Sequence, residues 1–450
     1  MIIMLSVLQL FFRQRFLLIT ALLLAVLQLQ SCNKPTEPAK ESISVTVEDV
    51  SCTEAWLKIS DTNANPNIMV IVKRDDIDIL ILNLNKADTV IVDENRLPNK
   101  TYTYRAVKQQ GSNLIEASKP VTATTLDTTS HNFTWQTFEF GEYSSSTFYD
   151  VAIIDENNIW AVGEIYMKDS LGNYDPIFYN AAHWNGTNWQ LKKIFYKGGI
   201  WSIRTVYAFN KNDIWFSGYM RYYNGQFLEL PIPSILMGWQ INKLWGSSSN
   251  DLYAVGNGGN IAHWNGSSWK KIESGTNVDL IDIWGISDGS IIWIAGKNLN
   301  KTVLIKIENN TPHTVFEEDY PWQIQKGKLS AGLSSIWAHN KKFLYVTTPI
   351  TVYRCLSTTK GEGEEIYPYN DYLKGGTIRI RGTGYNNILT AGNNSSIYHY
   401  NGHNWSPYES IYDERIYLRG LDVKPNLVVV AGEKFENMFY YKGIIRVGKK

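Results

Sequence analysis

The sequence predicts an all-β chain: a small immunoglobulin-like sandwich followed by a seven-bladed β-propeller. Three observations lead there. Aromatic residues make up 13% of the 450 positions, with 16 Trp and 27 Tyr, a composition that favours strands over helices. Short runs of near-alternating apolar residues recur between turns rich in Gly, Asn and Asp. Beyond about residue 147 those runs fall into a four-strand unit that appears seven times.

Residues 1–31 read as a signal peptide. Arg13 and Arg15 precede the apolar run Phe16–Leu29, and small or polar residues follow. The run after Arg15 is short for a membrane span, although the residues before Arg13 are also apolar. Leu29-Gln30-Ser31-Cys32 resembles a bacterial lipobox, with Gln30 where a small or apolar residue is usual. The resemblance implies cleavage before Cys32 and lipid on its thiol and new amino group. Several acyl chains would anchor the protein stably. The next residue is Asn33 rather than Asp, which implies the outer membrane, with the chain periplasmic or surface-exposed. Residues 32–42 are polar and Pro-bearing, and read as the lipidated Cys32 and its tether.

Residues 43–127 hold seven strand-like runs, from ISVTVEDV to KPVTATTL, with turn residues between them. Seven short strands in this length predict a two-sheet sandwich. Leu97-Pro98 followed by Tyr102 resembles the Leu-Pro turn and corner tyrosine of fibronectin type III domains. The resemblance assigns Trp56 as the buried core Trp and Val121–Leu126 as the last strand. It implies a spacer or adhesive module without a catalytic set. Cys52 and Cys355 fall in different domains and are predicted to be ordinary buried residues, not a disulfide.

The repeats occupy residues 133–450. The clearest copy is INKLWGSSSNDLYAVGNGGNIAHWNGSSWKKIE, residues 241–273. Its second strand ends in Ala-Val-Gly. Equivalent ends fall at Gly163, Gly218, Gly256, Gly296, Thr348, Gly392 and Gly432, roughly 38 to 55 residues apart. Each four-stranded sheet is apolar on both faces, so it needs a neighbour on each side. Radial closure supplies both and leaves only short edges. Phe133–Phe140 carries Trp135 in the place of a fourth-strand Trp and is predicted to join the last blade, closing the ring. The pattern resembles the photosystem II assembly factor propellers, with their Trp-Ala-Val-Gly strands, and the sialidase-like propellers with Asp-box turns. Asn185-Gly186, Asn265-Gly266 and Asn401-Gly402, each followed by a Trp three residues on, match the end of an Asp box. The Ser-x-Asp portion is missing, so the resemblance carries the turn and the buried Trp but no activity.

Innermost strands line a propeller's axis. Two residues before the Trp245 position, the repeats carry Asp150, Thr205, Lys243, Asp282, Ser335, Arg379 and Arg419, all polar. They are predicted to ring one mouth of the channel as ligand-binding candidates. Arg379, Arg381 and Arg419, on adjacent repeats, would hold an anion or carboxylate; internal ion pairs are the alternative. Asp150 and Asp282 would face each other at a separation wide for a glycosidase pair. His183, His263 and His399 occupy equivalent places on different repeats, too far apart to share an ion, and are expected to pack beside the Asn-Gly turns. Trp184, Trp245, Trp264, Trp269, Trp284 and Trp337 are expected in the inter-blade core rather than stacking sugars.

Lys+Arg and Asp+Glu balance at 43 each, which argues against a nucleic-acid binder working through bulk charge. No Gly-rich phosphate loop, zinc-helix motif or nucleophile elbow is present. The expected function is therefore a lipid-anchored, non-catalytic binding or assembly module with a protein or glycan partner at the cell envelope. No cofactor, metal or catalytic residue is assigned. A carbohydrate-active enzyme is the alternative.

Overall fold

The computed structural model describes residues 41–230, 238–319, 328–329, 332–367, 375–437 and 440–450. The predicted signal peptide, Cys32 and nearly all of the tether lie outside the described residues. The chain divides into two compact units. One comprises 43–50, 54–94 and 101–124; the other comprises 125–450 with the short segments 51–53 and 95–100.

The first unit is a two-sheet sandwich. β1 (Ile43–Val50), β2 (Glu54–Asp61) and β5 (Asp88–Glu94) form one sheet in the order β1-β2-β5. β3 (Met69–Arg74), β4 (Ile77–Asn83), β6 (Thr101–Gln110) and β7 (Asn113–Ala117) form the other as β4-β3-β6-β7, and β8 (Val121–Thr124) pairs with the start of β6. Alternation builds the core: Ile43 and Val45, Ala55, Leu57 and Ile59, Val70 and Val72, and Tyr102, Tyr104 and Ala106 all point inward. Two features escaped the sequence. β7, NLIEA, falls between two of the seven predicted runs, and its side chains are mostly exposed, so no apolar alternation marks it. Trp56 is buried, but it alternates with Ala55 and Leu57 and so belongs to the opposite face of β2, outside that core. The sandwich also buries an ion pair, Lys108 to Asp61 at 2.6 Å, and Tyr104 donates its hydroxyl to Asp93 at 2.7 Å.

In the second unit the described residues form seven four-stranded antiparallel meanders. Blades 1 to 6 begin with first strands Thr147–Asp155, Val206–Asn210, Ile241–Ser248, Leu280–Gly285, Ser335–Ala338 and Thr377–Gly384. Blade 7 takes Ile416–Lys424, Leu427–Asn437 and Tyr440–Lys449 in sequence. Its fourth strand is β9 (Thr134–Phe140), which pairs along Tyr440–Lys449 from the other end of the unit. The seven first strands touch one another in chain order, and the seventh touches the first. The sheets therefore form a closed wheel. A two-residue hairpin pair at Phe195–Tyr196 and Gly199–Ile200, between blades 1 and 2, was not anticipated.

The apolar cores lie between blades. Phe148, Ile153 and Ile159 of blade 1 pack against Val429, Ala431 and Ile445 of blade 7; Tyr253 and Ile261 of blade 3 pack against Ile292 and Ile305 of blade 4. Each sheet is thus dry only when sandwiched. Asn185, Asn265 and Asn401 each accept two backbone N–H groups from the next residues but one and two, at 2.9–3.1 Å. The glycine that follows each has φ of 91–96°, which a side chain would strain. Cys52 and Cys355 are both free and buried, and burial pushes their thiols up to about 11 and about 12.

Gly285 lies at a close approach between blades 3 and 4. A Cβ there would overlap the indole of Trp245, which is itself buried and cannot swing away. Gly285→Ala is expected to cost about 1–3 kcal/mol through overpacking, measured as a lowered denaturant midpoint with an unchanged slope.

Candidate functional site

The axial residues are placed by a recurring bulge. In blades 1, 3, 4, 6 and 7 the first strand carries one extra residue: Tyr149, Asn242, Ile281, Ile378 and Arg419 respectively. A bulge re-aims the side chains around it. Asp150, Lys243, Asp282 and Arg379 each follow the bulge and share one register with Thr205 and Ser335. In blade 7 that register falls on Gly420, and Arg419 is the bulged residue itself. This corrects the sequence alignment by one position. Blade 7 differs from the other bulged blades in having a glycine, not a polar residue, at the ring register.

The three polar bulged residues pair with the residue that follows the second-strand glycine. Arg419 makes a two-pronged bond to Glu433, at 2.6 and 2.5 Å. Tyr149 donates to Glu164 at 3.4 Å, and Asn242 donates to Asn257 at 2.8 Å. Glu433 also accepts from Thr147, at 2.5 Å.

The ring itself forms two latches of the same design. In the first, the Thr205 hydroxyl of blade 2 and the Val206 N–H both donate to Asp150 of blade 1, at 2.9 and 3.1 Å. The same hydroxyl accepts the Leu244 N–H of blade 3 at 3.2 Å, and Lys243 closes on Asp150 at 2.5 Å. In the second, the Ser335 hydroxyl and the Ile336 N–H of blade 5 donate to Asp282 of blade 4, the latter at 3.0 Å. Ser335 accepts the Ile380 N–H of blade 6 at 3.2 Å, and Arg381 grips both Asp282 oxygens at 2.8 and 3.0 Å. Blade 7 ties to blade 1 through the Ile153 N–H, which donates to Asp422 at 2.7 Å.

Electrostatics follow. Burial opposes the Asp282 charge, yet the Arg381 charge and hydrogen bonds hold its carboxyl well below the usual range. Burial pulls Lys243 down despite the Asp150 charge, and burial alone raises Asp422. The expected clamp of three arginines is therefore revised. Arg381 is committed to Asp282 and Arg419 to Glu433, while Arg379, among the described residues, bonds the carbonyls of Ser334 and Ile378, both at 3.3 Å. Asp150 and Asp282 sit in separate latches, each already holding a cation.

Two ends of the axis differ. On the C-terminal side of the ring residues, a cavity of about 400 Å³ is lined by Tyr207, Phe209, Trp245, Trp284, Trp337 and His339. Trp284 donates its indole N–H to the Ala338 carbonyl at 3.0 Å and carries Arg381 on its face. A smaller cavity of about 110 Å³ lies deeper, between Lys243, Arg381 and Asp422. Trp245, Trp269 and Trp337 are buried between blades, whereas Trp184, Trp264 and Trp284 are half-buried.

The three aligned histidines stay apart, each on its own blade. His183 bonds Asn158 at 2.9 Å, His263 bonds Asp251 at 2.7 Å and His399 bonds Asn387 at 3.0 Å. The sequence reading missed the rule they belong to. Opposite the second residue after each second-strand start, the third strands of blades 1 to 6 carry His183, Arg221, His263, Lys306, Arg354 and His399; in blade 7 the place falls on Val447, one residue after Arg446. Several lie against aromatic faces: His183 stacks on Trp160, His263 on Tyr253, Arg221 on Trp215 and Lys306 on Trp293. A basic residue at this place in six of the seven repeats was visible in the sequence once the third strands were aligned. Among the described residues no group of three or more His, Cys, Asp or Glu could hold a metal ion.

Two outcomes test these assignments. Asp282→Ala leaves the Arg381 charge buried without its partner, and should destabilise the propeller by about 3–5 kcal/mol, with partial recovery in Asp282→Ala/Arg381→Met; urea titration reads both. His399 lies 2.8 Å from His131, Nδ1 to Nδ1, and burial, then the His131 and Lys450 charges, push its imidazole down to about 3 from 6.5. The folded state thus favours the neutral ring. Its stability contribution is intact above pH 6.5 and is lost progressively as pH falls towards 3. His399→Gln should flatten the melting temperature profile between pH 6.5 and about 5, above the range where most carboxylates titrate.

No protein-family model matches the chain, and no curated protein does. Among solved structures, the chain is similar to "YCF48 bound to D1 peptide", at 13% identity over 70% of this chain and 95% of that one, with a TM-score of 0.50. It also resembles YCF48 from Cyanidioschyzon merolae, at 13% identity over 70% and 98%, with a TM-score of 0.45. The likeness is one of fold, and that fold is the β-propeller.

Proposed function

We propose that this chain is a lipid-anchored cell-envelope protein whose propeller is a non-catalytic platform for binding a protein segment. The observation that carries the reading is the state of the axial charges. Asp150, Lys243, Asp282 and Arg381 are consumed in holding blades together, so the acid and base that chemistry would need are already engaged. What the wheel offers a partner is surface at its two ends. One end has the aromatic-lined cavity, a concave site with polar groups interleaved among its rings. The other end is cationic at Arg379. The peptide bound to the similar propeller belongs to that protein, and it supports the reading only by showing such a wheel holding a chain segment.

The rest of the chain fits the same role. The leader and Cys32 would place the protein on the outer membrane, periplasmic or surface-exposed. The sandwich, read as a fibronectin type III-like spacer, would carry the propeller away from the lipid. A glycan partner or a carbohydrate-active enzyme is the second reading, favoured by the aromatic lining, since ring faces stack on sugars.

The full chain in detergent should be probed on peptide and glycan arrays and with a panel of glycosides. Peptide binding without turnover is expected. Glycoside turnover abolished by Asp150→Asn or Asp282→Asn contradicts the proposal. Acyl labelling that persists in Cys32→Ala contradicts the anchor.

A further inference from the structure

The pairing rule of the bulges has two exceptions: blade 6, where the bulged Ile378 corresponds to the neutral Asn393, and blade 4, where a charge is left over. The residue after its second-strand glycine is Lys297, where blades 7, 1 and 3 have Glu433, Glu164 and Asn257. The bulged residue that should partner it is Ile281, which has no polar group to offer. Lys297 instead donates to the Ser334 hydroxyl of blade 5 at 2.9 Å. Arg379 of blade 6 reaches the same residue, through the Ser334 carbonyl at 3.3 Å. Among the described residues neither cation has a carboxylate within ion-pairing distance. The nearby acids are otherwise engaged: Asp282 holds Arg381, and Asp279 accepts the Gly258 N–H at 2.7 Å.

Two like charges converging on one serine, both half-buried, repel each other in a poorly screened place. Burial and the Arg379 charge pull Lys297 down to about 8. An anion placed between them would relieve that repulsion and gain charge-assisted hydrogen bonds from both. Elsewhere at this end of the wheel, the fold supplies the acid itself, as Glu433 does for Arg419.

We propose that a carboxylate of the bound protein segment, from an acidic side chain or a free chain terminus, docks between Lys297, Ser334 and Arg379. This rests on the platform reading above and names the group that the platform recognises. Arg379 presents a flat pair of donors, Lys297 a point charge and Ser334 a hydroxyl, a set suited to one carboxylate rather than to a polyanion.

The test is the reactivity of the Lys297 amine, followed by mass spectrometry of the full chain after brief acylation near pH 8. Four probes are compared: a flexible peptide with one internal Glu and an amidated terminus; the same peptide with Gln and a free terminus; the version with Gln and an amidated terminus; and oligogalacturonate. A docked carboxylate raises the Lys297 pKa and should slow its labelling about five- to tenfold. The first or second probe should do this, thereby distinguishing side chain from terminus, and the third should not. Arg379→Gln should abolish the effect. So should Ile281→Glu, which supplies the missing acid from within blade 4; unchanged melting temperatures confirm that both variants fold. Equal labelling with every probe overturns the site. Protection by oligogalacturonate alone overturns the peptide source. Array binding that survives both variants overturns this site while leaving the platform reading in place.

Discussion

The propeller depends on two carboxylates that are dry. Asp150 and Asp282 are buried, and each is satisfied by a hydroxyl and an N–H from the next blade and a cation from the blade after that. A buried charge without its partner is costly, far more than the pair is worth in isolation. Each latch therefore penalises any arrangement in which three consecutive blades are not in order and in contact. Apolar packing between blades supplies most of the drive to associate, but it is tolerant of slippage. The latches are not, because their donors come from single backbone positions.

Closure is completed from the other side of the unit. β9 pairs with the last blade, so the final sheet is made from both ends of this segment of chain. β9 thereby becomes the outermost strand of the seventh sheet and gives it the same four strands as the other six. His131, just before β9, meets His399 of blade 6, and Tyr408 donates its hydroxyl to the His131 carbonyl at 3.0 Å. The closing segment is thus held by a side-chain cluster in addition to its ladder.

Much of this was legible. The four-strand repeat, the Asn-Gly turns and the closing role of Phe133–Phe140 follow from spacing and from the need of a two-faced apolar sheet for neighbours. The polar positions of the first strands were also visible. Their partners were not, because a pairing such as Arg381 with Asp282 joins residues two blades apart and no local pattern encodes it. The miss at the bulges has a different reason. Five blades share the extra residue, and only blade 7 slipped, because its ring register holds Gly420 and the nearest polar residue is the bulged Arg419. Trp56 is buried as expected, but which face of β2 it takes was not readable, because that strand is buried on both sides.

Function follows from what the latches use up and what they leave. Charge spent on the scaffold is unavailable for chemistry, and the charges left over gather at Lys297 and Arg379. The central claim is that the axial network is scaffold. Hydrogen exchange at the Val206, Leu244, Ile336 and Ile380 amides tests it most directly, because those N–H groups donate to the latch acceptors. They should exchange only at the rate of global unfolding, among the slowest in the propeller. Rapid exchange there, while the second strands of the same blades stay protected, would contradict the account.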